Sequence, residues 1–379
     1  MSVMVVYVRF FRSLCPRLIG VALLFLIGVN ATSLTAQDRP NAAVEKKPAK
    51  QTNLKVSPLK GTTKDFNGYD SPQFDLLEPN PLTKKFYQPK LTSTYFYGNA
   101  DKETVPVLML HGKDGSRDDL RPLADALAKQ GYGVLLPDLR GHGKSNQRFE
   151  VTYPQFDLMV STQTKDNGPR GRTTTKKEMV PVIKTQGSIK LISYNENDVV
   201  PQDFLMIMKN DMPLYRDSLL DLHEAGYVNM NQSVIIGVGR SAALAAGQAV
   251  NDWKTKDDDK FTKTLVLIAP EDIDPRFDTS KLFENLKPFR DNVSILFVIP
   301  EGSANDTLVE KIRGVIIGKE KDTEVIAARL PVFRYAPKEP NMPVKQVLES
   351  KDTKVLNSIV TFLQTRKESF QDKNRWSKL

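Results

Sequence analysis

Cysteine is almost missing from this sequence. Of 379 residues one is cysteine, three are histidine and two are tryptophan. Cys15 precedes an apolar run near the N-terminus, whereas a lipid-attachment cysteine would follow it. The rest of the chain therefore has no disulfide, no thiol nucleophile and no thiolate metal site. No His/Asp/Glu cluster has metal-ligand spacing, Asp257–Asp259 reads as a solvated loop, and no cofactor is expected. Gly237 and Gly239 precede a helical stretch, but no third glycine and acidic residue complete a dinucleotide fingerprint. Net charge is +9, with lysines scattered singly rather than in a stripe, so nucleic-acid binding is not expected. Long apolar runs are lacking too, and no integral membrane domain is expected beyond the N-terminal segment.

That segment is informative. Arg9, Arg12 and Arg17 precede the apolar run Leu18–Val29, and small and polar residues follow up to Ala36. This is the order of a secretory signal, cleaved after Ala36 or Ala31, and its core is short for a bilayer span. Residues 1–36 are thus expected to direct export, to a periplasmic or secreted location. The alternative is a membrane anchor left uncleaved. Residues 37–66, rich in Lys, Pro, Ala and Thr without periodicity, read as a flexible leader.

The clearest pattern is Val105–Ser145. The apolar run Val105–Leu110 ends at His111-Gly112, and Ser116-Arg-Asp-Asp119 has the spacing of a helix N-terminus. Leu120, Leu123, Ala124 and Leu127 recur at helical spacing, Gly131 stops the helix, and Tyr132–Leu136 is a second buried strand. Strand, helix and strand with short connections predict a right-handed crossover in a parallel sheet. The HG turn, with Asp138, Arg140, Gly141, His142, Gly143 and Ser145 in PDLRGHGKS, resembles the α/β-hydrolase superfamily. The resemblance implies an α/β fold, a three-layer sandwich with a mostly parallel central sheet, over residues 67–365. It also implies a serine hydrolase, esterase or peptidase-like, with one oxyanion amide after the HG turn.

The chain continues in that key. Thr92–Tyr97 is one strand before the crossover. Residues 146–203 are a polar insertion, read as a lid-like segment or a surface decoration. Within it Met179–Lys184 and Ser188–Tyr194 are expected to form a hairpin. A helical stretch starts at Phe204–Met208, is interrupted or restarted at Pro213, and ends at Gly226. Strands are expected at Ser233–Gly237, Thr264–Ala269, Val293–Ile299 and Leu330–Tyr335, with helices at Ala242–Trp253, Thr307–Ile316 and Val344–Leu363. Residues 366–379 read as a basic, frayed tail.

The resemblance requires a nucleophile after a central strand, an acid after a later one and a histidine after the last. No histidine follows His223, which reads as a surface or capping residue, and APKEPNMPVK stands where the family's catalytic histidine belongs. At the elbow, VIIGVGRSAALAAG, the preferred register puts Gly239 at the nucleophile, where no side chain can attack. The rival register puts Ser241 there, with His111, His142 or His223 as base. Asp306 is the candidate acid, Asp272 and Asp274 the alternatives, and Asp306 would equally cap a helix. The oxyanion-pocket candidates are Gly112, Lys113, Gly239 and Arg240, which together favour a small anionic ligand at the strand ends. His111 and His142 read as turn-builders. The preferred expectation is a catalytically degenerate exported protein acting in binding or structure. Alternatives are a hydrolase using Ser241, or a surface protein whose Arg170, Arg172 and Lys176 meet anionic polymer.

Overall fold

Alternating side chains on one sheet divide the hydrophobic core in two. The computed structural model describes residues 63–67, 77–80, 85–99, 103–153, 155–167, 173–185, 187–254, 260–273, 277–284, 289, 292–318, 323–339 and 342–371. The expected signal segment, most of the expected leader, Asp257–Asp259, Asp274, Arg170 and Arg172 lie outside them.

In chain order the strands are β1 (Thr63–Asn67), β2 (Glu78–Asn80), β3 (Lys85–Lys90), β4 (Thr92–Phe96) and β5 (Pro106–Leu110). A 3-10 turn (Arg117–Leu120) then leads into helix α1 (Arg121–Lys129), followed by β6 (Gly133–Asp138). The insertion supplies β7 (Gln147–Thr152), β8 (Gln155–Asn167), β9 (Thr173–Thr185) and β10 (Ser188–Ser193). Next come α2 (Pro201–Met206), a π turn (Ile207–Asp211), α3 (Met212–Glu224), β11 (Ser233–Val238), α4 (Ser241–Lys254), β12 (Thr262–Ile268) and β13 (Ser294–Pro300). The chain closes with α5 (Asn305–Ile317), α6 (Thr323–Arg329), β14 (Val332–Tyr335), α7 (Val344–Glu349) and α8 (Val355–Gln371).

The main sheet has eight strands in the order β1-β4-β6-β5-β11-β12-β13-β14, parallel from β6 to β14. The edge strands β1 and β4 run antiparallel to their neighbours. Leu108, Leu110, Ile235, Leu265, Leu267, Ile295 and Phe297 face one core, shared with α3, α4 and α5. Val107, Met109, Val234, Ile236, Val266, Leu296 and Val298 face the other, shared with α1, α7 and α8. A parallel strand buried on both faces reads as a continuous apolar run, which is why these strands are conspicuous in sequence.

Three elements depart from the expected pattern. Met179–Lys184 and Ser188–Tyr194 do become strands, but they do not pair with each other. β9 pairs with β8, and β10 pairs with β7, so one hairpin is nested inside another. β10, β7, β3 and β2 form a second, four-stranded sheet. The C-terminal helix breaks at Ser350–Lys354, where the Thr353 hydroxyl donates to the Val347 and Ser350 carbonyls and Lys354 has φ +56°. It then runs on to Gln371, past the expected start of the tail at 366. Strand β1 begins at Thr63, inside the expected leader. Pro213 restarts the helical stretch, as expected, one residue into α3 after the π turn. Among the described residues no helix is long and apolar enough to cross a membrane.

Candidate functional site

Four loops meet at the carboxyl ends of the parallel strands: the HG turn after β5, the RGHG loop after β6, the elbow after β11 and the turn after β12. The first two are wired to each other. His111 is fully buried, and its Nε2 accepts the Leu139 amide proton at 3.0 Å. Nδ1 must then carry the ring proton, which it donates to the Gly112 carbonyl at 2.7 Å. Burial, reinforced by the neighbouring His142, lowers the His111 pKa to about 3 despite that carbonyl. His142, 5.1 Å away ring to ring, turns Nδ1 to the Arg140 carbonyl at 2.9 Å and Nε2 to the Lys113 carbonyl.

Asp138 is the hub of the second loop. Its carboxylate accepts the Arg117 and Lys144 amides at 3.0 and 2.9 Å and lies 3.3 Å from the Arg117 guanidinium. The Ser145 hydroxyl donates to the Asp138 carbonyl and accepts the Thr92 amide, both at 2.9 Å. Gly143 has φ +49°, and a Cβ there would run into the Asp138 carboxylate, so backbone and space both demand glycine. Arg140 is buried and forks twice: to Asp211 at 2.8 and 2.6 Å, and to Glu78 at 2.8 Å through two nitrogens. Burial opposes its charge, but the two carboxylates hold its pKa well above the ordinary value. Asp211 lies on the π turn and Glu78 on β2, so Arg140 ties the loop to both.

His223 is not at a surface. It is fully buried, and Nδ1 faces the Val228 carbonyl at 2.9 Å, bracing the turn between α3 and β11. The reason is local: Gly226 bends the chain back over the end of α3, and the ring fills the bend.

The elbow differs in kind. Gly239 has φ +56°, the left-handed conformation that a strained strand-to-helix turn imposes on its apical residue. Among the described residues a Cβ built on Gly239 would meet only the Glu271 carboxylate, at 3.8 Å to Oε1, so the side-chain position is open. Ser241, two residues on, is the first residue of α4 and fully buried, and its hydroxyl has no hydrogen-bond partner among the described residues. The HG turn adjoins the elbow: a Cβ on Gly112 would touch Val238 at 3.6 Å. Among the described residues no hydrogen bond takes up the Lys113 or Arg240 amide proton. The four oxyanion-pocket candidates thus lie on two adjoining loops.

The acid candidates lie elsewhere. Asp306 is not a cap but part of the first turn of α5, and it accepts from Arg334 on β14 at 2.9 Å. The cap position is Ala304, and the Ser303 hydroxyl just before it accepts the Asn305 amide at 3.1 Å. Asp272 accepts the Thr279 amide and hydroxyl at 2.8 and 2.6 Å, which ties down its own loop. Glu271, not singled out from sequence, is the carboxylate that reaches the elbow. Its amide donates to the Gly239 carbonyl at 3.1 Å, and its side chain lies 4.0 Å from Arg240. Ala269, which leads into it, has φ +44°, rare for a residue with a side chain. The only sequence signal was its place just after an apolar strand. Among the described residues no group of three or more His, Cys, Asp or Glu is placed to hold a metal ion.

Comparison with known proteins matches residues 105–161 to the family model described as the alpha/beta hydrolase fold. A thermostable monoacylglycerol lipase of Bacillus sp. (strain H-257) is 47% identical over 53 residues, 14% of this chain and 21% of the lipase. The match thus spans about a fifth of that relative's length. Similar solved structures include a predicted CIB-like hydrolase from Thermoplasma acidophilum, with 12% identity over 76% of this chain and 98% of that one, at TM-score 0.39. An esterase of Pyrococcus furiosus has 14% identity over 80% and 93% of the two chains, at TM-score 0.39. A carboxyl esterase of Tuber melanosporum has 13% identity over 84% and 89%, at TM-score 0.44. The matched stretch holds the HG and RGHG turns, and the sheet order and elbow are laid out around it as described, so the fold is that of an α/β-hydrolase.

Proposed function

We propose that this is an exported α/β-hydrolase-fold protein that binds a small anionic ligand at the strand ends and does not carry out serine-triad hydrolysis. One observation carries the reading. The residue in the elbow's left-handed position is Gly239, which has nothing to attack with. Supporting it, every ring nitrogen of His111 and His142 faces backbone, and the Ser241 hydroxyl touches no base. A serine hydroxyl without a base is a weak nucleophile at neutral pH. For the ligand, the Lys113 and Arg240 amides and the dipole of α4 favour negative charge. Export rests on the Arg9–Ala36 pattern, and cell fractionation with N-terminal sequencing of the mature chain tests it.

The relatives named as a lipase and as esterases favour the second reading, acyl-ester hydrolysis through Ser241. An active-site fluorophosphonate separates the two. The proposed protein stays unlabelled under conditions that label a serine esterase fully. Stoichiometric labelling at Ser241 would replace the first reading with the second.

A further inference from the structure

The second sheet has one guarded edge and one open edge. Its strands run in the order β10-β7-β3-β2, and among the described residues none pairs with the outer side of β10. At the far edge β2 is three residues long with Pro79 at its centre, and proline withholds an amide from any incoming strand. β10 has six residues, SIKLIS, with no proline and a single charge, and all but Ile192 are exposed. Alternate residues of such a strand turn their amides and carbonyls away from the sheet, which makes the edge a template for a further strand.

The side chains define what that strand must carry. Register sets Phe86, Val151 and Ile189 in one row across the sheet, and Gln88, Phe149 and Leu191 in another on the same face. Val151 and Phe149 are buried, at 5% and 6%, whereas Ile189 and Leu191, one strand further out, are 60% and 45% exposed. The apolar rows are therefore cut off at β10. Among the described residues the other large exposed hydrophobics are Val200 and Leu205, in the same stretch of chain. On the opposite face, between those rows, run Tyr87, Glu150 and Lys190. Glu150 is held by Lys85 at 2.9 Å, and the exposed Lys190 ends the row as a cation.

We propose that β10 is a docking edge for an extended segment of a partner protein whose residues alternate apolar, acidic, apolar. The apolar residues stand opposite Ile189 and Leu191 and continue the covered face. The acid between them stands opposite Lys190, a cross-strand pair of opposite charge. A second copy of this chain matches the edge less well. β10 contains no acid, so no register of β10 against itself sets a carboxylate opposite Lys190.

Fluorescence anisotropy with the full chain and three blocked octapeptides tests this. The probes alternate valine with glutamate, valine with lysine, and serine with glutamate. The valine–glutamate probe is expected to bind saturably, and each of the others about fivefold more weakly or worse. Lys190→Glu is expected to invert the order of the glutamate and lysine probes, which a general attraction to the net charge of +9 would not do. Ile189→Ser combined with Leu191→Ser is expected to bring the valine–glutamate probe down to the level of the serine–glutamate one. All three positions are exposed, so folding should persist, and an unchanged melting temperature checks it. If no probe binds at millimolar concentration, or Lys190→Glu leaves their order unchanged, the docking edge is wrong. A wild-type dimer in light scattering that Leu191→Ser dissociates would give the edge to a second copy instead and overturn the acidic partner.

Discussion

The RGHG loop and the elbow stand at neighbouring strand ends and treat their polar groups in opposite ways. In the loop, Asp138, Arg140, His142 and Ser145 are buried and spend their hydrogen-bonding capacity on the protein itself. At the elbow a buried hydroxyl and two amides are left over. Satisfied groups build the frame; at the elbow the same economy is not kept. The residues most suggestive of hydrolase chemistry in the sequence therefore belong to the scaffold, and the donors left over belong to the plainest stretch, the elbow.

Breaking the loop should cost most. Arg140→Met leaves Asp211 buried, and the half-buried Glu78 beside it, without their cation, and about 3–5 kcal/mol of stability should go, measured by urea denaturation. A loss below about 1 kcal/mol would mean the fork is not the frame described. The loop is also acid-sensitive. His111 has a folded pKa of about 3 against an unfolded value near 6.5, so between those limits only the unfolded chain takes up the proton. Stability should therefore fall as pH drops through that window, by about 1.4 kcal/mol per unit from this group. His111→Gln should remove that share of the slope in melts at stepped pH, even if it lowers the baseline.

Two glycines sharpen the contrast further. Gly143 and Gly239 have similar φ, +49° and +56°, so a Cβ strains both by about 1–2 kcal/mol. Only at Gly143 does it also collide, with the Asp138 carboxylate. Gly143→Ala should cost clearly more than Gly239→Ala, and equal losses would deny that the elbow is open. The smallest effect belongs to Ser241→Ala. Deleting an unpartnered buried hydroxyl should leave stability unchanged or raise it by up to about 1 kcal/mol. A marked loss would show that the hydroxyl has a partner after all.

Much of the fold was legible in the chain. Runs such as VPVLML and SVIIGV are apolar on both faces because the sheet is covered on both, and they announced the parallel strands to within two residues. Partners were less legible than strands. Alternation in Met179–Lys184 and Ser188–Tyr194 marks extended backbone but says nothing of which strand lies alongside, and the nested pairing joins residues far apart in sequence. Arg140 could be recognised as a turn residue, yet its two anchors lie 62 and 71 residues away. Glu271 escaped notice for the same reason: only the parallel pairing of β11 with β12 brings its turn against Gly239. The helix break at Ser350–Lys354 rests on a single threonine hydroxyl and a left-handed lysine, a signal too local for periodicity to register.

The nested hairpins make the insertion detachable. Thr152 and Ser188 face each other across the β7–β10 ladder, so everything between them leaves and rejoins the body at adjacent points. Strands as long as β8 and β9, at about 3.4 Å per residue, make a ribbon of roughly 40 Å without altering that junction. Such a ribbon can lengthen, shorten or be traded for a two-residue turn while the outer ladder keeps its register. The chain thus carries a graft point, where new segments can be tried and discarded without disturbing the main sheet.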